Sequence, residues 1–579
     1  MSQNIPKKQR AVQLTGPNQL VLNSDKEVYE PGPTQMLCKV EAVGICFSDM
    51  KLLAQFDAHP RKSEILSHLS KEVLSEIPSY VPNQKPTIPG HEVVVRIVKT
   101  GSQVRTCKIG RRYLVQTDYR DLKTAGSNAA FGYNFEGAMQ EYVLIDERVS
   151  VAQNGESYMF EVPEAKSASA IALVEPWSCV EGAYIEKQRT SFKKGGTLLL
   201  VKEGSFEPDF AGLDFSIPGQ VLTLGITVAG GQSILNLSEI IDKKFDDIIY
   251  CGNQKETVEK LFPLMAKGGL INIVTGGQKF GQLVSAPIGD IHYLGKRLTG
   301  TVGSSPIKGY ENIPISAEVR PGDSVKVMGA GGPMGVMHVY RDIALGLPQT
   351  RIIATDLDDF RLQVLANKVS NLARQKRVIF ETINAKSPQA EQPANYIVIM
   401  APLPVLVKAA IDSALPKAII NVFAGIPAGK TGEVNLDHYI EKELYLVGTS
   451  GSTINDMKKV LHKVVNDELD TNISVAAIGG LEGAIEGIGA VRDAKIPGKI
   501  VLYPALKNTG IINLPDLGLK HPRIGARLKN GQWTKAGEDQ LLGLKKEKNI
   551  IIKKRVKIKK SRKKQVNKKS FTKKQRKRP

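Results

Sequence analysis

Four side chains in the first third of the chain have the chemistry of metal ligands. Cys46 offers a thiolate, His91 an imidazole, and Glu92 and Glu175 offer carboxylates. One sulfur, one nitrogen and one or two oxygens, with a position left for water, would suit a catalytic Zn²⁺. Each residue also has an ordinary explanation, because a lone cysteine is often a small core residue and Gly-His-Glu can form a turn. The residues alone leave both interpretations open.

A second group of residues has the pattern of a dinucleotide site. A predicted strand, 324–328, leads into a glycine-rich turn and then a helix whose apolar positions share one face. A further strand, 351–355, ends in an acid. Backbone N–H groups at a helix N-terminus can face a pyrophosphate, and a carboxylate about 20 residues on can accept hydrogen bonds from the ribose. The predicted cofactor residues are Gly329, Gly331, Gly332, Pro333, Met334, Gly335 and Asp356.

The order of these motifs resembles the zinc-dependent medium-chain dehydrogenase/reductase family. The resemblance runs over roughly residues 8–505 and rests on four segments in combination. They are Gly44-Ile-Cys-Phe-Ser-Asp49, Pro89-Gly-His-Glu92, Val174-Glu-Pro176 and the turn Gly329–Gly335. The resemblance implies an α/β protein with a GroES-like β domain that binds the catalytic zinc and a Rossmann domain that binds the nucleotide.

Family resemblance also implies roles for individual residues. Cys46 and His91 match the first two zinc ligands, Glu92 the adjacent acid, and Glu175 the ligand before proline in the polyol dehydrogenases. Ser48 matches the hydroxyl that takes the substrate proton. The catalytic set is therefore expected to be Cys46, Ser48, His91 and Glu175, with Glu92 as an intermittent metal ligand or a residue just behind the ligands.

The sequence departs from the family pattern in three places. Residues 113–135, where many relatives hold a structural zinc, contain no cysteine, so we expect one catalytic zinc and no structural zinc. The position of the relay histidine falls near Lys51. A segment, 54–80, with a helix-like apolar pattern stands between Cys46 and His91. This inserted segment could cover the substrate cleft, or it could be a surface decoration or a subunit contact.

An internal repeat indicates two Rossmann-like units in tandem. Phe245–Cys251 parallels Ala394–Met400, and Gly300-Thr-Val-Gly-Ser304 parallels Gly448-Thr-Ser-Gly-Ser452. We call residues 189–312 the first copy and residues 313–464 the second copy. Only the second copy has the glycine turn and the acid. We interpret the first copy as a degenerate unit serving structure, a subunit contact or substrate enclosure, although an unusual second nucleotide site is an alternative.

These patterns divide the chain into five regions. The catalytic domain is expected to comprise 1–188, completed by 465–505, on either side of the two copies. A C-terminal extension, 506–544, follows, and 545–579 is expected to be a disordered basic tail. The tail carries 19 of the 79 Lys and Arg residues but only one of the 58 acidic residues, so the rest of the chain is close to neutral.

The expected partners follow from charge and composition. The basic tail could contact nucleic acid or another anionic surface weakly, or it could be a solvated end without a partner. The five cysteines include no CxxC pair, which argues against a disulfide framework and fits the cytoplasm. No apolar run is long enough for a transmembrane segment. We also expect a homo-oligomer, as an interpretation of the family resemblance.

The sequence therefore predicts an alcohol or polyol dehydrogenase of the EC 1.1.1 type. Its substrate would be a small alcohol or ketone, of polyol, sugar or sugar-phosphate type. Asp356 would accept hydrogen bonds from the ribose of NAD and repel the 2′-phosphate of NADP, so NAD is the favoured cofactor. The alternative is a catalytically altered scaffold on the dehydrogenase fold, or a nucleic-acid-binding protein that uses the basic tail.

Overall fold

The computed structural model describes residues 5–185 and 187–543, so the predicted basic tail lies outside the described residues. The chain forms two compact units. The first comprises Met1–Leu173 with Val464–Pro579, and the second comprises Val174–Lys463. Within the described ranges, no helix is long and apolar enough to cross a membrane.

The first unit begins with short strands and a few short helices. The strands are β1 (Lys8–Gly16), β2 (Gln19–Glu27), β3 (Gln35–Gly44), β4 (Glu92–Thr100), β5 (Arg112–Val115), β6 (Asp118–Lys123), β7 (Asn128–Ala130), β8 (Tyr142–Asp146) and β9 (Met159–Val162). The helices are α1 (Ser48–Gln55), α2 (Lys71–Ser75), α3 (Glu147–Ser150) and α4 (Ala168–Ala172).

The second unit alternates strands and helices. The strands are β10 (Thr197–Lys202), β11 (Gln220–Leu224), β12 (Gln232–Ser233), β13 (Phe245–Cys251), β14 (Met265–Val274), β15 (Val284–Ala286), β16 (Arg297–Thr301), β17 (Ser324–Met328), β18 (Arg351–Asp356), β19 (Ile379–Asn384), β20 (Ala394–Ile399), β21 (Ala414–Val422), β22 (Gly432–Val434) and β23 (Tyr445–Val447). The helices are α5 (Val174–Ile185), α6 (Lys255–Leu261), α7 (Ile288–Tyr293), α8 (Pro306–Glu311), α9 (Pro333–Leu345), α10 (Asp359–Lys376), α11 (Pro404–Ser413), α12 (Leu436–Glu441) and α13 (Ile454–Val465).

The closing segment of the chain completes the first unit. Its strands are β24 (Val475–Gly479), β25 (Lys499–Leu502) and β26 (Ile512–Asn513), and its helices are α14 (Ala484–Arg492), α15 (Leu517–Lys520), α16 (Pro522–Gly525) and α17 (Lys535–Leu541). The main sheet runs β26-β24-β25-β3-β4-β5-β9, and β8 also pairs with β3. Strands from both ends of the chain therefore share one sheet.

The C-terminal extension packs into this first unit. Trp533 is fully buried, and its indole N–H donates to the Tyr503 hydroxyl at 2.7 Å. The Glu538 carboxylate accepts hydrogen bonds from the backbone N–H groups of Ala168 and Ser169 at 2.7 and 3.0 Å. These contacts cap the N-terminus of α4, so the extension is part of the unit's core and not only an appendage.

The second unit contains two parallel sheets with the same strand order. One runs β12-β11-β10-β13-β14-β16 and the other β19-β18-β17-β20-β21-β23. Each is the order of a Rossmann sheet, in which the chain starts at the centre and crosses to both sides. The predicted α/β fold with two tandem Rossmann-like units is confirmed.

The inserted segment, 54–80, is mostly not helical, so the prediction of a helix from its apolar pattern was wrong. Only α2 forms a single α-helical turn, preceded by two 3₁₀ turns at Phe56–Ala58 and Pro60–Lys62. Hydrogen bonds of buried polar side chains hold the segment instead. The buried Lys62 ammonium donates to the carbonyls of Asn83 and Lys85 at 2.9 and 2.7 Å, and the Tyr80 hydroxyl accepts from Ile65 N at 2.9 Å. These anchors specify turns, which local periodicity does not reveal.

The two copies differ in the helices that follow their first two strands. In the second copy α9 and α10 connect β17 to β18 and β18 to β19. In the first copy the corresponding connections, 203–219 and 225–231, are fully described and contain turns and bends but no helix. The first copy has thus kept the strand framework and lost the helices that a nucleotide-binding turn requires.

Candidate active site

Two antiparallel strands bring Cys46 and His91 together. In the pairing of β3 with β4, Gly44 lies opposite Glu92, so the residues just outside this pair meet at the same edge. Gly44 is required here, because a Cβ at this position would lie 2.0 Å from Glu92 Oε2. Strand register thus makes neighbours of two residues that are well separated in sequence.

The ligand atoms of Cys46, His91 and Glu92 lie within 4.8 Å of one another. His91 and Glu92 are buried and Cys46 is half-buried. A tetrahedral zinc ion with one sulfur, one nitrogen and one oxygen ligand would hold those atoms roughly 3.5 Å apart. The donor set and its spacing therefore fit zinc after small side-chain adjustments.

Asp49 and Ser48 surround the imidazole of His91. Asp49 Oδ1 lies 3.1 Å from His91 Nδ1, which orients the ring with Nε2 toward Cys46. The Ser48 hydroxyl donates to Cys46 Sγ at 3.1 Å and lies 3.1 Å from His91 Nε2. The predicted proton-carrying hydroxyl therefore lies between the sulfur and nitrogen donors.

Glu92 is held by a buried lysine that belongs to none of the sequence motifs. Lys499, the first residue of β25, forms an ion pair with Glu92 Oε1 and donates to the Ile45 carbonyl at 3.0 Å. Both side chains are nearly inaccessible to solvent. The second oxygen, Oε2, is buried without a hydrogen-bond partner among the described residues. A partnerless buried carboxylate oxygen is costly unless a cation completes it, which agrees with the zinc fit.

The ring of Tyr133 covers the other side of the site. It lies 5.7 Å from the His91 ring and 5.0 Å from the His59 ring. Burial would lower the pKa of His91, but the nearby Asp49 carboxylate, which is also hydrogen-bonded to the ring, outweighs burial and raises that pKa well above its ordinary value. The surroundings of His91 therefore favour a positive charge at this point.

Glu175 lies in the second unit, in the first turn of α5. Its side chain is largely buried, and the Cys179 thiol donates to Glu175 Oε1 at 3.6 Å. Its participation as a metal ligand remains a prediction.

The glycine-rich turn has steric requirements at three positions. Gly329 has φ +88, a conformation that residues with a side chain rarely adopt. A Cβ at Gly331 would lie 2.6 Å from Arg361 Cβ, and a Cβ at Gly335 would lie 2.6 Å from the Gly329 carbonyl oxygen. By contrast, the nearest neighbour of a Cβ at Gly332 would be 3.8 Å away. Gly332 is the N-cap of α9, followed by Pro333 and Met334, so the helix begins where the turn ends.

Asp356 faces this turn from the end of β18. Its Oδ2 accepts a hydrogen bond from Gly331 N at 2.9 Å, and its Oδ1 accepts one from Asp358 N at 3.1 Å. Each carboxylate oxygen can accept further hydrogen bonds. The acid is therefore held rigidly beside the turn, where a ribose would lie if the turn bound a dinucleotide.

A buried polar network supports α9 from behind. The Tyr184 hydroxyl contacts His338 Nδ1 at 2.6 Å and donates to Asp342 Oδ2 at 3.0 Å. Arg341 pairs with Asp342 and with Glu181 at 3.2 and 3.0 Å. The network connects α5 to α9 and fixes the helix whose N-terminus carries the glycine turn.

The sequence motifs did not identify Asp49, Lys499 or the network behind α9 as parts of these sites. Asp49 lies inside the segment Gly44–Asp49, so its position next to Cys46 was a usable signal. No signal in the sequence indicated that Lys499 belongs to the site, because its partner Glu92 is 407 positions away.

One protein-family description matches the chain, the alcohol dehydrogenase GroES-like domain, over residues 32–154. This range includes the cluster of Cys46, His91 and Glu92. The first part of the first unit is therefore an alcohol dehydrogenase GroES-like domain, as the resemblance implied.

Curated relatives and solved structures show weaker similarity. The uncharacterized protein YggP of Escherichia coli K12 is 28% identical over 245 residues, covering 39% of this chain and 57% of the relative. Mannitol-1-phosphate 5-dehydrogenase of Aliivibrio fischeri is 27% identical over 246 residues, with the same coverages, 39% and 57%. This chain thus spans little more than half the length of both. The structure of 2R,3R-butanediol dehydrogenase from Bacillus subtilis is similar with 15% identity, 86% of this chain and 99% of that chain covered, and a TM-score of 0.48.

Proposed function

Because the chain carries the GroES-like domain of alcohol dehydrogenases, which supports its assignment to the medium-chain dehydrogenase/reductase family, we propose that it is a zinc-dependent oxidoreductase. It transfers a hydride between a secondary alcohol and NAD. The observation that carries this proposal is the cluster of Cys46, His91 and Glu92, with its partnerless buried carboxylate oxygen. The proposed catalytic domain comprises 1–188 with 465–505.

The proposed metal ligands are Cys46, His91 and Glu175, with Glu92 as the intermittent ligand. Bound zinc would supply Lewis-acid chemistry that makes a substrate hydroxyl more acidic near neutral pH. Ser48 takes the substrate proton, because its hydroxyl lies between the two donor atoms. Asp49 keeps Nδ1 of His91 occupied so that Nε2 is available.

The proposed substrate is a polyol, sugar or sugar phosphate. Similarity to mannitol-1-phosphate 5-dehydrogenase supports this class. The proposed cofactor is NAD in the second copy, held at Gly329–Gly335, with Asp356 accepting hydrogen bonds from the ribose. A screen that follows NADH absorbance with polyols, sugar phosphates and amino alcohols identifies the substrate.

Metal analysis tests the proposal directly. The purified protein should contain about one zinc ion per chain, and Cys46→Ser and His91→Asn should each remove it together with turnover. Cys107→Ser is the matched control, because Cys107 is a buried cysteine of the same unit outside the cluster. Zinc content is measured by elemental analysis, independently of activity.

Two results would contradict the proposal. One is full dehydrogenase activity in protein without zinc. The other is unchanged zinc content in both Cys46→Ser and His91→Asn, which would place the metal elsewhere.

A further inference from the structure

The two Rossmann-like copies bury their apolar surfaces against each other. One continuous hydrophobic core contains residues of both copies, such as Val284, Ile288 and Leu298 from the first and Val434 and Leu446 from the second. The two copies therefore share one hydrophobic core, and they are not independent domains joined only by a linker.

Strands from the two copies pair antiparallel in a symmetric register. In the pairing of β15 with β22, Val284 lies opposite Val434 and Ser285 opposite Glu433. The offset of 148 residues that relates Gly300 to Gly448 also relates β15 to β22, so Val284 is the counterpart of Gly432 and Ser285 the counterpart of Glu433. Exchanging the copies thus maps the Ser285–Glu433 pair onto itself and the Val284–Val434 pair onto the Ala286–Gly432 pair, which is the mark of a two-fold relation.

The repeated glycines Gly300 and Gly448 occupy equivalent places in this interface. A Cβ at Gly300 would lie 2.6 Å from the Ile273 carbonyl oxygen and 3.0 Å from Ile440 Cγ1. A Cβ at Gly448 would lie 2.8 Å from the Val422 carbonyl oxygen and 3.2 Å from the Cα of His292. Each glycine thus accommodates a residue on a helix of the other copy.

Two aspartates make reciprocal contacts across the same interface. Asp290, on α7 of the first copy, accepts a hydrogen bond from Gly429 N of the second copy at 2.8 Å. Asp437, on α12 of the second copy, accepts from Phe280 N and Gly281 N of the first copy at 2.8 and 2.9 Å. A helix after a short strand holds a loop of the opposite copy in both directions.

We infer that the first copy is an internal partner subunit. It supplies, within the same chain, the self-complementary surface that a second copy of the nucleotide-binding unit would supply in a two-fold dimer. Repeats stacked by translation would not exchange equivalent contacts, because each would present a different face to its neighbour. This arrangement is independent of the proposed activity, since it concerns only how the second copy buries its apolar face.

Cross-linking tests whether the partner is supplied in the same chain. Cysteines introduced by Ser285→Cys and Glu433→Cys face each other across the β15–β22 pair. A short bismaleimide should join them within one chain, so the product keeps the single-chain mass in denaturing electrophoresis and peptide mapping links the two positions. The single variants, treated identically, are the controls. A two-chain product linked through these positions would overturn the inference.

Paired substitutions test whether the two equivalent glycines contribute similarly to the stability of the interface. Gly300→Val and Gly448→Val should each lower the melting temperature by roughly 5 °C, because each forces a side chain into a packed interface. Gly303→Val is the control, since Gly303 is exposed and a Cβ there would meet its nearest neighbour at 3.7 Å. If the valine variants do not fold, Gly300→Ala and Gly448→Ala replace them. An unchanged melting temperature for the Gly300 variant would overturn the inference.

Discussion

The first and second copies have the same strand order but have kept different parts of the Rossmann design. Strand register equates Val201 with Met328 and Leu224 with Thr355. Val201 and Leu224 are the last residues that pair between β10 and β11, as Met328 and Thr355 are between β17 and β18. Lys202 therefore stands where the second copy has Gly329, and Gly225 where it has Asp356.

What the first copy lacks is confined to the connections after its first two strands. What it retains is β13 to β16 with α6 and α7, which pack against the second copy. The difference indicates that burial at the interface and nucleotide binding impose separate requirements on one fold. A copy can lose the turn, the helix behind it and the acid while its interface remains necessary for the core.

The largest expected effect comes from a side chain introduced into the glycine-rich turn of the second copy. Gly335→Val would place a Cβ 2.6 Å from the Gly329 carbonyl oxygen, so the turn and α9 can no longer pack closely. We expect the dissociation constant for NADH, measured by fluorescence titration, to rise about 100-fold or more, since a clash of this kind costs about 3 kcal/mol.

The matched control is Gly303→Val, at an exposed position of the first copy, which should leave NADH binding unchanged. Titration of the unmodified chain should give one NADH per chain. If the unmodified chain instead bound two NADH and Gly335→Val still bound one, the first copy would also bind a nucleotide, which would contradict the difference proposed between the copies.

A smaller effect is expected from the acid that the first copy lacks. Asp356→Ala removes a charged hydrogen-bond acceptor beside the turn, and we expect NADH to bind about 30-fold more weakly. NADPH binding should weaken less or improve, because repulsion of its 2′-phosphate is lost. Asp214→Ala, at an exposed site of the first copy, is the control. An unchanged ratio of NADH to NADPH affinity would place the ribose elsewhere.

The smallest effect concerns the network behind α9, which has no counterpart in the connection 203–219. Burial, together with the charge of Arg341, lowers the pKa of His338 to about 3. A histidine whose folded-state pKa lies below its unfolded value of about 6.5 loses stability as the pH falls from 6.5 toward the folded-state pKa. At pH 5.5 the loss from this residue is about 1.4 kcal/mol.

His338→Asn should therefore show a smaller drop in the free energy of unfolding between pH 7.5 and pH 5.5 than the unmodified chain. Each protein is compared with itself by denaturant titration at the two pH values. The exposed His68→Asn is the control and should follow the unmodified chain. An equal drop in His338→Asn would show that acid sensitivity arises outside this network.

Much of the fold could be predicted because local patterns of apolar residues indicate its strands and helices. The strands predicted at 324–328 and 351–355 were recognisable from short buried runs, and they correspond to β17 and β18. The helix between them was recognisable from its apolar face, and Gly346 ends it in a left-handed conformation. The repeat was visible because both copies keep strands of similar sequence at one spacing. The inserted segment could not be predicted, because Lys62 and Tyr80 hold it through long-range hydrogen bonds.

The sequence by itself determined which residue types were available for chemistry: a thiolate, an imidazole and carboxylates in the first unit, and a turn almost without side chains in the second copy. These features depend on composition and short spacing. Tertiary structure alone decided that Lys499 neutralises one oxygen of Glu92, that Gly44 makes room for that carboxylate, and that Gly300 and Gly448 serve one symmetric interface. Such contacts join residues far apart in the chain, and strand register and burial, which no local pattern encodes, bring them together.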